Sequence, residues 1–144
     1  MNDYPVIVEE TFKASAEKIW NAITDKNEMK RWYFDLEEFL PKVGFEFRFL
    51  GGPEDGIQYL HICEITDVEP QKLLAYNWHY DGYPGMTNVR FEIEEISASE
   101  TKLKLSHSGL ESFPADNPDF AKRNFEAGWN AIIKTSLKNY LELK

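Results

Sequence analysis

The sequence predicts an α+β domain in which a curved antiparallel β-sheet wraps a long C-terminal α-helix. Three observations predict it. Runs that alternate apolar and polar residues occupy the middle of the chain, between residues 36 and 108. Two short helical patterns follow the first strand-like segment. A wide apolar stripe of helical period runs from about Phe120 to Leu143.

Residues 5–13, PVIVEETFK, are β-rich and predict the first strand. ASAEKIWNAIT follows, with Ser15 as N-cap and Ala16, Ile19, Trp20 and Ile23 at helical spacing. Residues 27–34 predict a second short helix with Met29 and Trp32 on one face. Gly44 then precedes FEFRFL, where Phe45, Phe47 and Phe49 alternate with Glu46 and Arg48, as in a half-buried strand. GGPEDG, residues 51–56, is a turn. In IQYLHICEI both faces carry apolar residues, so the inward face stays open and a bulge is expected.

Residues 73–80, LLAYNWHY, place Leu74, Tyr76, Trp78 and Tyr80 on one face. The next strand turns Val89, Phe91 and Ile93 inward, and TKLKLSHS does the same with Leu103, Leu105 and His107. Consecutive strands with short turns predict an antiparallel meander. SGLESFPADNPD is an irregular loop. In the last helix Phe125, Trp129, Ile132, Ile133, Leu137, Tyr140 and Leu141 share one side, opposite Lys122, Lys134, Lys138 and Glu142. A helix of about 24 residues is ~36 Å long, and its apolar face needs the sheet as partner.

The chain has 144 residues, enough for one domain with its own core, and residues 1–144 are read as that domain. A net charge of −9 with no basic face argues against nucleic acid and against an anionic membrane surface. One cysteine, Cys63, permits no intrachain disulfide. The start, MNDYPVIVEE, lacks a signal-peptide pattern, and no apolar run reaches the ~18 residues of a membrane span. The expected location is cytoplasmic, with no membrane insertion.

Several segments, in order, carry a family resemblance. SAEKIWNAITDKNEMKRWYF, Val43-Gly44 before FEFRF, VEPQKLLAYNW, KLSHSGL and Gly128-Trp129 before IIKTSLKNYLE resemble the activator of heat-shock protein 90 ATPase homologue-like family. Gly128-Trp129 matches the start of that family's last helix. The resemblance implies the helix-grip fold of the START and Bet v 1-like superfamily. Its members include lipid carriers, hormone binders, polyketide cyclases and co-chaperone subunits, so the fold alone does not select a function.

Aromatic residues make up 15% of the chain, and those on the inward faces either fill a core or line a pocket. The leading expectation is non-enzymatic binding of a small hydrophobic or amphipathic ligand between sheet and helix. The candidate lining residues are Phe47, Phe49, Tyr59, His61, Tyr76, Trp78, Phe91, His107 and Trp129. The alternative is a protein-interaction or co-chaperone-like module, for which the loop GLESFPAD, with Leu110 and Phe113, would supply an exposed apolar patch. A cyclase- or dehydratase-like enzyme would need an inward acid or base, and His61, His107 and the tyrosine hydroxyls are the available groups. No catalytic residue is assigned. No metal site is expected, because HExxH, CxxC and dense ligand clusters are missing, and no cofactor fingerprint occurs.

Overall fold

In the computed structural model, residues 5–33, 36, 38–52 and 56–142 are described. Strand β1 (Val6–Phe12) alternates buried Val6, Val8 and Phe12 with outward Ile7 and Glu9. Helix α1 (Ala16–Thr24) starts where the Ser15 hydroxyl accepts the Lys18 N–H at 3.1 Å. It buries Ala16, Ile19, Trp20, Ala22 and Ile23. Helix α2 (Lys26–Trp32) starts one residue earlier than expected, because Asp25 caps it by accepting the Asn27 N–H at 2.8 Å. It ends at Trp32, and residue Phe34 of the expected helix lies outside the described residues. Met29 and Trp32 form its buried face.

Strands β2 (Glu46–Gly51), β3 (Tyr59–Glu69), β4 (Leu73–Tyr80), β5 (Thr87–Ser97) and β6 (Glu100–Ser108) make the meander. The six-stranded sheet has the order β1-β6-β5-β4-β3-β2, antiparallel throughout, so β1 and β2 are the edges. The ambiguity in β3 resolves in favour of Tyr59, His61, Cys63 and Ile65, which are buried, while Leu60 and Ile62 are half-buried. The register shifts between Ile65 and Asp67, so the irregularity falls at the end of the IQYLHICEI run and not within it as expected. It lets the strand continue to Glu69, past the end of the IQYLHICEI run.

The sheet curves around the C-terminal helix, α3, which runs from Lys122–Ala131 through Ile132–Leu137 to Lys138–Glu142. Phe120, expected inside it, belongs to a preceding 3₁₀ turn (Pro118–Phe120). The middle segment of α3 is π-helical. Its fully covered residues are Trp129, Ile133, Leu137 and Leu141, each four apart. In a regular α-helix every four-residue step advances the stripe by ~40°, which would wind it off the sheet. The wider π turns bring these residues back over one face. The opposite side is not simply solvated. Lys134 and Lys138 pair with Glu10 of β1 at 3.5 and 2.5 Å, and the Glu142 carboxylate accepts the Lys13 N–H at 3.0 Å.

The loop between β6 and α3 contradicts one expectation. Leu110 and Phe113 are buried, not exposed, so GLESFPAD offers no apolar patch. The loop lies down on the sheet because Gly109 takes φ 82°, where a Cβ would sit 3.1 Å from the Met86 carbonyl oxygen. Ser112 then fixes it, accepting the Met86 N–H at 2.9 Å.

Candidate functional site

At one end of the sheet the packing opens into a cleft of about 480 Å³. Its sheet wall is Tyr59 and His61 of β3 with Trp78 and Tyr80 of β4, next to Gly51 and Gly52 at the end of β2. Asp119 and Phe120 from the 3₁₀ turn before α3 form the mouth. The first half of α3 closes the far side with Asn124, Phe125, Gly128, Trp129 and Ile132. This volume is typical of small-molecule sites.

Aromatic rings order the walls. His61 stacks on Phe49 with ring centroids 4.4 Å apart, and Tyr80 stacks on Phe120 at 4.9 Å. Trp78 contacts both His61, at 4.9 Å, and His107, at 5.1 Å. At the polar edge the Tyr59 hydroxyl donates to Asp119 Oδ2 at 2.6 Å. That bond holds the Tyr59 proton and raises its pKa.

The nine candidate residues divide by depth. Tyr59, His61, Trp78 and Trp129 line the cleft. Phe47, Phe49, Tyr76, Phe91 and His107 are buried and do not line it. Phe47 and Tyr76 meet edge to face at 5.0 Å, and Tyr76 shares a 2.7 Å hydroxyl–hydroxyl bond with Tyr33. Burial pushes the pKa of both hydroxyls well up. Asp119, Phe120, Asn124 and Gly128 were not among the candidates. The only sequence signal for them is a glycine inside a helical pattern, which normally needs a packing or functional reason. Gly128 is the seventh residue of α3, not its start.

The two histidines do not both face the cleft. The Trp129 indole N–H donates to His107 Nδ1 at 2.9 Å. Indole nitrogen can only donate, so Nδ1 carries no proton and Nε2–H points at Thr87 Oγ1, 2.8 Å away. The Thr87 hydroxyl passes its own proton to the Trp78 carbonyl at 2.7 Å. Every group in this chain is satisfied by the neutral ring. Complete burial lowers the His107 pKa to about 3. Burial also lowers that of His61 to about 4, against the smaller opposing pull of the Tyr59 and Phe49 carbonyls. His61 Nδ1 donates to the Tyr59 carbonyl at 3.0 Å. Both rings are therefore neutral at physiological pH, and only His61 reaches the cleft. Cys63 is fully buried, which pushes its thiol pKa up and away from nucleophilic use.

Among the described residues no group of three His, Cys, Asp or Glu side chains could hold a metal ion, and no helix is long and apolar enough to cross a membrane.

Comparison with known proteins agrees with this architecture. The profile of the family described as "Activator of Hsp90 ATPase homolog 1-like protein" matches residues 13–142. The chain belongs to that family. No curated protein matches it. Among solved structures, MLL2253 from Mesorhizobium loti is 26% identical with a TM-score of 0.73, covering 97% of this chain and 98% of its own. DynU16, a protein of the dynemicin biosynthetic locus, is 25% identical with a TM-score of 0.77. The match covers 99% of this chain but only 48% of DynU16, so this chain spans about half of that protein. PFC0360w from Plasmodium falciparum, described as an HSP90 activator, is 22% identical with a TM-score of 0.67 over 94% of this chain and 92% of its own, and shares the fold.

Proposed function

We propose that this family member binds a small hydrophobic or amphipathic molecule in the cleft between sheet and C-terminal helix, as a binder and not a catalyst. The observation that carries this reading is the aromatic-walled cleft of about 480 Å³ spanned by a helical glycine. A glycine in a helix interior lowers stability by roughly 0.5–1 kcal/mol relative to alanine. No neighbour lies within 4 Å of where a Gly128 Cβ would stand, so packing does not require it there. Keeping the cleft roomy supplies the reason. Trp78 and Trp129 line the cavity, so occupancy should change tryptophan emission. Titration with fatty acids, sterols and polycyclic aromatics tests the reading. Saturable quenching by at least one class is the expected result, and a flat response to all three refutes it.

A second reading is a protein-partner module acting on a heat-shock protein 90. Family membership favours it, as do the exposed apolar residues Val43, Leu50 and Ile57 on and beside the β2 edge and the β2–β3 connection. Adding the protein to a heat-shock protein 90 should then raise its ATPase rate. An unchanged rate at saturating protein sets this reading aside.

A further inference from the structure

We propose, building on the ligand-binding reading, that the cleft selects flat unsaturated molecules carrying a hydrogen-bond donor or a positive charge, recognised by the Asp119 carboxylate, and turns away anions. Among the described residues the lining holds one acidic side chain, Asp119, and no lysine or arginine. Its walls are largely aromatic, with Tyr59, Trp78, Tyr80, Phe120, Phe125 and Trp129 among the lining residues, and aromatic rings attract cations and stack with flat π systems. A carboxylate has about four acceptor positions. The Tyr59 hydroxyl and Asp119 Oδ2 make one bond at 2.6 Å, which orients the carboxylate at the mouth and leaves acceptor capacity for a ligand.

Two features could favour an anion, and neither prevails. The first is the start of α3. Its N-cap, Ala121, makes no side-chain hydrogen bond, and its first turn holds no acidic residue. The macrodipole there is worth about half a positive charge, whereas Asp119, two residues before the cap, brings a full negative one. The second is His61, which is neutral in this site. Of the two cations that start α3, Lys122 lies in a different hollow, with Leu110, Phe113 and Asn117, and Arg123 does not line the cleft. The chain's net charge of −9 adds a general field of the same sign as Asp119.

Three anthracenes of one shape test the idea: one bearing a methylamine, one a hydroxymethyl group and one an acetate. Energy transfer from tryptophan reports binding of each. The expected order is amine, then alcohol, then acetate, with about tenfold between the first and last. Asp119→Asn should bring amine and alcohol within about twofold of each other by weakening the amine much more than the alcohol. Asp119→Glu should keep the amine preference. Acetate binding as tight as amine, or an amine preference that survives in Asp119→Asn, overturns the proposal while leaving ligand binding intact. Failure of all three probes in a protein that saturably binds a fatty acid or a sterol also overturns the proposal while leaving ligand binding intact, whereas failure of every class sinks the binding reading as well.

Discussion

Gly128 offers a direct separation of stability from binding. It sits inside α3, exposed, on the wall of the cleft. A Cβ added there meets nothing within 4 Å. Gly128→Ala should therefore gain the full helix-propensity difference of about 0.8–1 kcal/mol. For a domain of this size that raises Tm by about 3 °C. Gly128→Phe has a smaller propensity gain, but its ring has room to enter the cleft. It should hold stability near or above that of the parent while weakening any cleft ligand by about tenfold or more. Urea denaturation gives the first quantity, and titration of the same samples gives the second. Loss of more than about 1 kcal/mol in Gly128→Ala would refute the open helix face described above. Unchanged ligand affinity in a folded Gly128→Phe would show that ligands bind elsewhere.

Three further outcomes follow from the buried polar groups and from the division of α3. His61 and His107 have folded pKa values depressed to about 4 and about 3 from 6.5, so the unfolded chain binds more protons below about pH 6.5. Stability should be level above pH 7 and fall between pH 6.5 and 5, by up to about 1.4 kcal/mol per pH unit for each histidine; His107→Gln should make the fall shallower, and a flat profile in denaturant melts refutes the assignment. Tyr33→Phe and Tyr76→Phe should each lose about 1–2 kcal/mol, but the double variant less than their sum, because each single variant already breaks the shared hydroxyl–hydroxyl bond; strict additivity in urea melts would argue against the pair. Hydrogen exchange should be faster over residues 122–131, where only Trp129 is buried, than over 132–141, and a cleft ligand should slow the first set alone; equal protection before and after ligand addition contradicts this.

The fold was legible because strand parity is a two-valued choice that one buried face enforces. Phe47 and Phe49, Leu74 to Tyr80, Val89 to Ile93 and Leu103 to His107 all carry it openly. β3 alone was ambiguous, since Leu60 and Ile62 are apolar yet half-buried. Its face was decided by pairing, with Phe47 opposite Cys63 and Phe49 opposite His61. The π segment was missed because Ile132 and Tyr140 flank the buried stripe and make it resemble an ordinary i, i+3, i+4 pattern. The cleft was only half legible. Parity selects which residues face inward but not how far along the strand the core ends. His61 pairs with Tyr80 at the open end, whereas Tyr76 pairs with Ile65 four residues further in, ~13 Å away. Asp119 and Phe120 come from a loop whose path depends on Gly109 and Ser112, which no periodicity records.

The division of α3 explains why this end of the sheet is the open one. From Ile133 onward the helix buries a residue every fourth position, and Lys138 and Glu142 tie it to Glu10 and Lys13 at the β1 end. Tyr140 adds a bond to Glu28 of α2 at 2.9 Å. In Lys122–Ala131 the single buried anchor is Trp129, held by His107. A regular α-helix would rotate Phe125 and Trp129 away from the line of Ile133 and Leu137, by ~40° for each four-residue step. The π segment absorbs that rotation once, from the edge of the cleft at Ile132 onward, and keeps Trp129 facing the sheet. Gly128, beside it, then needs no side chain to fill the gap. The neutral His107 chain and the π segment thus act on the same tryptophan, one by hydrogen bonding and one by rotation. Together they set one aromatic wall of the cleft, His107 from behind it and the π segment from its edge at Ile132.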